Sequence, residues 1–149
     1  TEAASADEAC RAVARDWCAI FRATACCISL LASDGAAVET VAWYERGQHV
    51  DVDRVPYRLE DYPETARAIA GRQLYSLVAT DPAADPREVA ILRAEGLQAL
   101  LLVALVAGEQ VVGIAEIYDE RPRVFGADEQ RLALALGGYL AVVLAGLGV

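Results

Sequence analysis

Between Leu97 and Glu129 the apolar and polar positions resolve into two apolar runs, a turn, a charged loop and the opening of a helix. Ala99 to Ala107, rich in Leu and Val, is too short to span a membrane. It reads as a buried strand, although an apolar run of this kind does not by itself separate a strand from a buried helical segment. Gly108-Glu109 breaks the run. Gln110 to Tyr118 then carries β-branched residues on both parities, as a strand covered on two faces should, so the pair predicts an antiparallel hairpin. Val111, Gly113, Ala115 and Ile117 make a small face suited to packed helices. Val112, Ile114, Glu116 and Tyr118 make the other face, which turns a carboxylate inward. Pro122 puts Asp119 to Arg123 in a loop.

The same reading extends upstream. Ser5 or Asp7 caps a helix running to about Thr24, whose stripe of Val13, Trp17, Ile20, Phe21 and Thr24 keeps a helical period. Cys26 to Ala32 is a strand, Ser33-Asp34-Gly35 a turn and Val38 to Tyr44 the returning strand. Val50, Val52, Val55, Tyr57 and Leu59 suggest an irregular edge strand broken by Pro56. Asp61 caps a short helix from Pro63 to about Ala70, closed by Gly71. Gln73 to Val78 is a strand, and Asp85 before Pro86 starts a helix ending at Glu95.

The last helix, Ala127 to about Leu147, opens with acidic residues, as the helix dipole favours, and carries no charge after Arg131. Its uncharged part reaches the lower limit of a membrane span. Four glycines, no basic anchor beyond the run and a ready partner in the first helix argue instead for packing on two sides. Leu132, Leu136, Tyr139, Leu140 and Val143 are expected to face the sheet. Ala133, Gly137, Ala141 and Ala145 form a small-residue spine where another helix backbone can approach. A two-fold homodimer through the first and last helices follows as an expectation.

At 149 residues with 56% hydrophobic composition the chain suits one domain spanning 1–149. A net charge of -9 argues against nucleic acid or an anionic membrane surface as partner. The amino terminus lacks the regions of a signal peptide, which points to the cytoplasm, and the absence of an initiating Met reads as a fragment of a longer protein. The four cysteines all lie between Cys10 and Cys27, which fits buried reduced thiols better than a disulfide framework or a metal site.

An apolar strand, a Gly turn, VVGIAEIYDERPRVF and then ADEQRLALALGGYLAVVLA resemble the carboxy-terminal half of a GAF domain, a small sensory module of bacterial signalling proteins, and the element order matches throughout. The resemblance implies an α+β fold: a six-stranded antiparallel sheet, the terminal helices on one face and a ligand pocket roofed by short helices and loops on the other. Cyclic-nucleotide-binding members carry an Asn-Lys pair followed by Phe and Asp-Glu. Phe125 and Asp128-Glu129 are present, but the Asn-Lys positions read Tyr118-Asp119, so the Lys and its ion pair are missing.

By the same resemblance, the candidate ligand-binding residues are Trp43, Tyr57, Arg58, Tyr62, Tyr75, Ser76, Arg93 and Glu116, an aromatic set with a few directed polar groups. Each also fits an ordinary core role. For Glu116 that role is a salt bridge to an Arg of the roof. His49, the sole imidazole, sits in a polar turn, so no haem is expected. No bilin is expected either, because the pocket half has no Cys for its attachment, and the same gap counts against the GAF enzymes that reduce free methionine sulfoxide. No nucleophile-base pair, phosphate loop or metal-spaced cluster supports other catalysis. The function expected is a non-catalytic domain that senses an unidentified small molecule and passes the signal through its terminal helices to a fused output domain. The alternative is a dimerisation or protein-interaction module with a degenerate pocket.

Overall fold

The computed structural model describes residues 1–149. In chain order the elements are α1 (Glu2–Phe21), β1 (Ala25–Leu31), β2 (Ala37–Glu45), β3 (Gln48–His49), β4 (Tyr57–Arg58), α2 (Pro63–Gly71), β5 (Leu74–Val78), α3 (Pro86–Ala94), β6 (Ala99–Ala107), β7 (Gln110–Asp119) and α4 (Ala127–Gly146). A 3-10 turn, Leu59–Asp61, joins β4 to α2. The antiparallel sheet runs β3-β2-β1-β7-β6-β5, with β4 also on β2. It has seven strands rather than six because the irregular edge strand is two short ones. β3 pairs with Tyr44 and Glu45, and β4 with Ala37 and Val38 at the far end of β2. The chain between them, which includes Pro56 with no N–H to give, leaves the ladder.

Caps are partly displaced from the sequence reading. Thr1, not Ser5 or Asp7, caps α1, its hydroxyl accepting from the Ala4 N–H at 3.1 Å. Arg22 closes that helix in the left-handed conformation, with φ 50°. Asp61 lies in the 3-10 turn, and Tyr62 occupies the position before α2. Asp85 does cap α3, accepting from the Arg87 N–H at 2.9 Å.

β1 and β7 are the only neighbours that join the amino-terminal strands to the carboxy-terminal ones. Their approach explains Gly113, for which the sequence suggested helix packing. A Cβ on Gly113 would lie 2.2 Å from the Ser29 carbonyl oxygen, inside the backbone of β1. Ala115 and Ile117 do pack under the helices, as expected.

α1 and α4 cover one sheet face. Trp17 and Phe21 are buried there, ring edge to ring face at 6.1 Å, with Ile28, Leu101, Val103 and Leu105 of the sheet. Ile20, placed on the same stripe by periodicity, is half exposed. The orientation of α4 reverses the expectation more fully. Its small spine faces the sheet: Ala133 and Ala141 are buried, and a Cβ on Gly137 would come 3.2 Å from Val103 and 3.4 Å from Leu105. Leu140 is buried with them, whereas Leu132, Tyr139 and Val143 point outward, Tyr139 at 77% exposure. Small residues let the helix backbone settle close over bulky β6 side chains, and that contact outweighs placing the larger α4 residues inside. No helix is long and apolar enough to cross a membrane.

Two bulges reset the strand parities. β2 has one extra residue where the register passes from Ile28↔Ala42 to Ser29↔Thr40, and β7 has another where it passes from Leu105↔Gly113 to Val106↔Val111. The second turns Val112 into the helix-side core, away from the face shared by Ile114, Glu116 and Tyr118.

The β7–α4 loop is fastened to the end of α1. Arg123 donates to the Phe21 carbonyl at 2.6 Å and to Asp119 at 2.8 Å, pairs with Glu129, and lies over the Phe125 ring at 4.4 Å. Arg121 donates to both oxygens of Asp119, at 2.9 and 2.7 Å. Burial alone would raise the Asp119 pKa, but the hydrogen bonds from Arg121 and Arg123 outweigh it and hold the carboxyl at about 2. No Lys stands here, as the sequence reading had it; Arg123 supplies the cation of an ion pair with Asp119 and Glu129 instead.

Because β1 has no room at Gly113, Gly113→Val should destabilise the domain by about 3 kcal/mol or more, as overpacking against backbone does. Urea unfolding followed by tryptophan fluorescence would read this; a change inside 0.5 kcal/mol, on the order of a neutral surface substitution, would contradict the strand geometry.

Candidate ligand cavity

On the sheet face opposite α1 and α4, a cavity of about 220 Å³ lies between the strands and a cover made by the Tyr57–Thr65 segment and α3. Strand alternation sets its floor. In β1, Cys26 turns to the helices and Cys27 to the cavity; in β7, Glu116 and Tyr118 share the cavity face. Thr40 and Trp43 of β2, three residues apart, both reach it because the bulge between them restores the same side. Leu100 of β6 with Tyr75 and Leu77 of β5 complete the floor. Tyr57, Tyr62 and Thr65 cover one part, and Glu88, Ile91 and Leu92 of α3, with Glu95 just past its end and Leu97, cover the other.

Glu116, half-buried, is the acid in the floor of this site. Tyr118 donates to its Oε2 at 2.6 Å, and no protein hydrogen bond reaches Oε1. The core alternative for Glu116, a salt bridge to an Arg of the roof, is not formed, since no basic side chain lines the cavity. Burial pushes the Glu116 pKa up, and the Tyr118 hydrogen bond opposes that rise. The same burial, with Glu116 nearby, raises the Tyr57 and Tyr118 hydroxyls and the Cys27 thiol, so all three are protonated at neutral pH. Trp43 stacks on Tyr118 at 5.7 Å between centroids and donates its Nε1–H to Glu45 at 2.9 Å. Tyr57 and Tyr62 meet edge to face at 5.0 Å, and the Tyr75 hydroxyl donates to Glu88.

Of the residues the sequence nominated, Trp43, Tyr57, Tyr62, Tyr75 and Glu116 converge on the cavity. Arg58, Ser76 and Arg93 do not. Arg58 is exposed and pairs with Glu60 at 2.9 Å; Arg93 is exposed and reaches the Ala79 carbonyl at 3.3 Å; Ser76 is exposed in a separate shallow depression. Tyr118 was legible at i+2 from Glu116, and Glu88 and Leu92 share one face of α3 by their spacing, with Glu95 at its cap. His49 is exposed against the Tyr44 ring at 4.9 Å, outside the cavity. All four cysteines are free and buried, with burial raising Cys10 to about 12 and Cys18 to about 11.

The sequence model of the GAF domain matches residues 3–145. The chain belongs to the GAF domain family. No curated protein matches it in sequence. Among solved structures, this GAF domain is similar to the phycocyanobilin-bound GAF domain from a cyanobacterial phytochrome, at TM-score 0.80 and 15% identity over 95% of this chain and 85% of that one. It is also similar to the GAF domain/HD domain protein from Geobacter sulfurreducens, at 0.74 and 15% over 96% and 94%. A third is the GAF domain of a two-component sensor histidine kinase from Bacillus halodurans, at 0.69 and 19% over 85% and 84%.

These comparisons correct the expectation of no haem or bilin on the side of bilin. GAF domains that share this fold at TM-score 0.80 hold phycocyanobilin and phycoerythrobilin. The premise also fails in the structure, because Cys27 lines the cavity. Its sulfur lies 3.8 Å from the Ser29 hydroxyl. The lining thus supplies a thiol such as a covalently attached bilin needs, but no basic side chain to meet the bilin's propionates.

With its pKa raised on folding, Glu116 lowers stability progressively as pH rises from the ordinary carboxylate range through its folded pKa, and the loss is complete above that. Glu116→Gln should therefore match the parent at acidic pH and be the more stable at neutral pH. Urea denaturation across pH would check this; equal stability at both ends would mean that the carboxylate is not held against its charge.

Proposed function

We propose that this GAF domain is a non-catalytic sensory module of a larger cytoplasmic signalling protein. It binds a small molecule in the cavity over Glu116, and its terminal helices carry the result to a fused output domain. The observation that carries this reading is the cavity itself, aromatic-walled with a few directed polar groups, the usual makeup of a small-molecule site. Trp43, Tyr57, Tyr62, Tyr75 and Glu116 are its proposed ligand contacts. Its position supports the division of labour, since the sheet strands that floor the cavity are packed on their other side by α1 and α4.

Native mass spectrometry of the purified domain, followed by thermal-shift screening of a metabolite library that includes phycocyanobilin, tests the reading. The expected result is a compound that stabilises the domain and whose effect is lost in Trp43→Leu. Absence of any stabilising compound would favour the second reading, a dimerisation module with a degenerate pocket.

The proposal extends to a homodimer through the first and last helices, on a face different from the one the sequence suggested. Ala141 is buried against the sheet, so the outward residues Leu132, Tyr139, Val142 and Val143, with Ile20 of α1, are the proposed contact. The double variant Tyr139→Glu, Val143→Glu should sediment as a monomer while keeping its unfolding midpoint. A parent domain that is monomeric at high micromolar concentration would refute the dimer.

A further inference from the structure

The cavity combines three features that one kind of ligand satisfies together. Aromatic rings line it, with Trp43 stacked on Tyr118 in the floor and Tyr57 meeting Tyr62 edge to face in the cover. Its floor holds a carboxylate, Glu116, with one oxygen free of any protein hydrogen bond. Every charged residue lining it is acidic: Glu116 below, Glu88 on α3 and Glu95 just past its end. A carboxylate enclosed among aromatic rings, with no arginine or histidine to meet it, is an incomplete ion pair. An anionic ligand would add to the imbalance. A neutral ligand would leave it in place.

We infer that the ligand of this cavity is a small organic cation, an alkylammonium or quaternary ammonium group held over the aromatic rings with its charge toward Glu116. The inference rests on the sensing reading above and narrows it to a ligand class. The rings supply the quadrupole attraction that favours a cation over its neutral isostere, and Glu116 supplies the counter-charge. Size agrees with a compact ligand. A cavity of about 220 Å³ lies below the range of roughly 300–1,000 Å³ typical of drug-sized sites. Glu88, bonded by Tyr75, and the exposed Glu95 add negative potential along α3, which would draw a cation in from solvent.

Two isosteric pairs test it by calorimetry on the whole domain: choline against 3,3-dimethyl-1-butanol, and benzylamine against benzyl alcohol, with 3,3-dimethylbutyrate as the anion. At least one cation should bind about tenfold or more tighter than its neutral partner, and the anion should not bind. Glu116→Gln should reduce that preference to about twofold or less, chiefly by weakening the cation. Choline affinity should also rise with pH as Glu116 ionises. Trp43→Leu, checked for an intact unfolding transition, should weaken the cation as well. Equal binding of cation and isostere, tighter binding of the anion, or an unchanged preference in Glu116→Gln would overturn the inference. If both cations are silent while another library compound binds in the cavity, the cation class fails and the sensing reading stands. If no compound binds at all, both fall together.

Discussion

The pairing of β1 with β7 is the constraint on which the rest of the molecule depends. The chain makes its strands in two groups, β1 to β4 and β5 to β7, each closed by short connections, and the ladder from Ala25↔Tyr118 to Leu30↔Gly113 is the one seam between them. Its partners are distant in sequence, so loop closure opposes the pairing until the sheet forms. Gly113 lets the strands approach, because any Cβ there would occupy the place of the Ser29 carbonyl. The seam is locked again at its end by the Asp119 network, where Arg121 and Arg123 bind Asp119 and the last carbonyls of α1 together.

Once the seam is formed, each central strand has two buried faces of different chemistry. One receives α1 and α4 and is wholly apolar. The other keeps Glu116 and Tyr118 under an incomplete cover, and these two residues with Trp43 turn a stretch of core into a cavity. The contrast is energetic as well as geometric. A carboxylate in the helix-side core would have no partner, whereas beside the cavity it retains a hydroxyl donor on one oxygen and access on the other. A carboxyl whose pKa is raised by burial destabilises the fold, once ionised, relative to an apolar core of the same shape.

Local pattern determined much of this protein by itself. The apolar runs at 99–107 and 110–118, the Gly turn between them, the Asp85 cap and the buried Trp17–Phe21 stripe are set by residues close in sequence, and each element stands within a few residues of where its pattern put it. The parity of Glu116 was equally legible, because alternation along a strand needs no tertiary information. The tertiary structure alone decided the questions that depend on what lies opposite. Arg58 and Arg93 were drawn to carboxylates and carbonyls at the surface instead of the cavity, since hydration and local pairing suit a guanidinium better than burial. The bulge in β2 put Thr40 and Trp43 on one side, and the register of β1 put Cys27 beside Glu116. Apolar composition gave α4 no polar side, so the bulk of the β6 residues beneath it chose which face would lie inward: the small one, where the backbone comes close, leaving Tyr139 and Val143 outside.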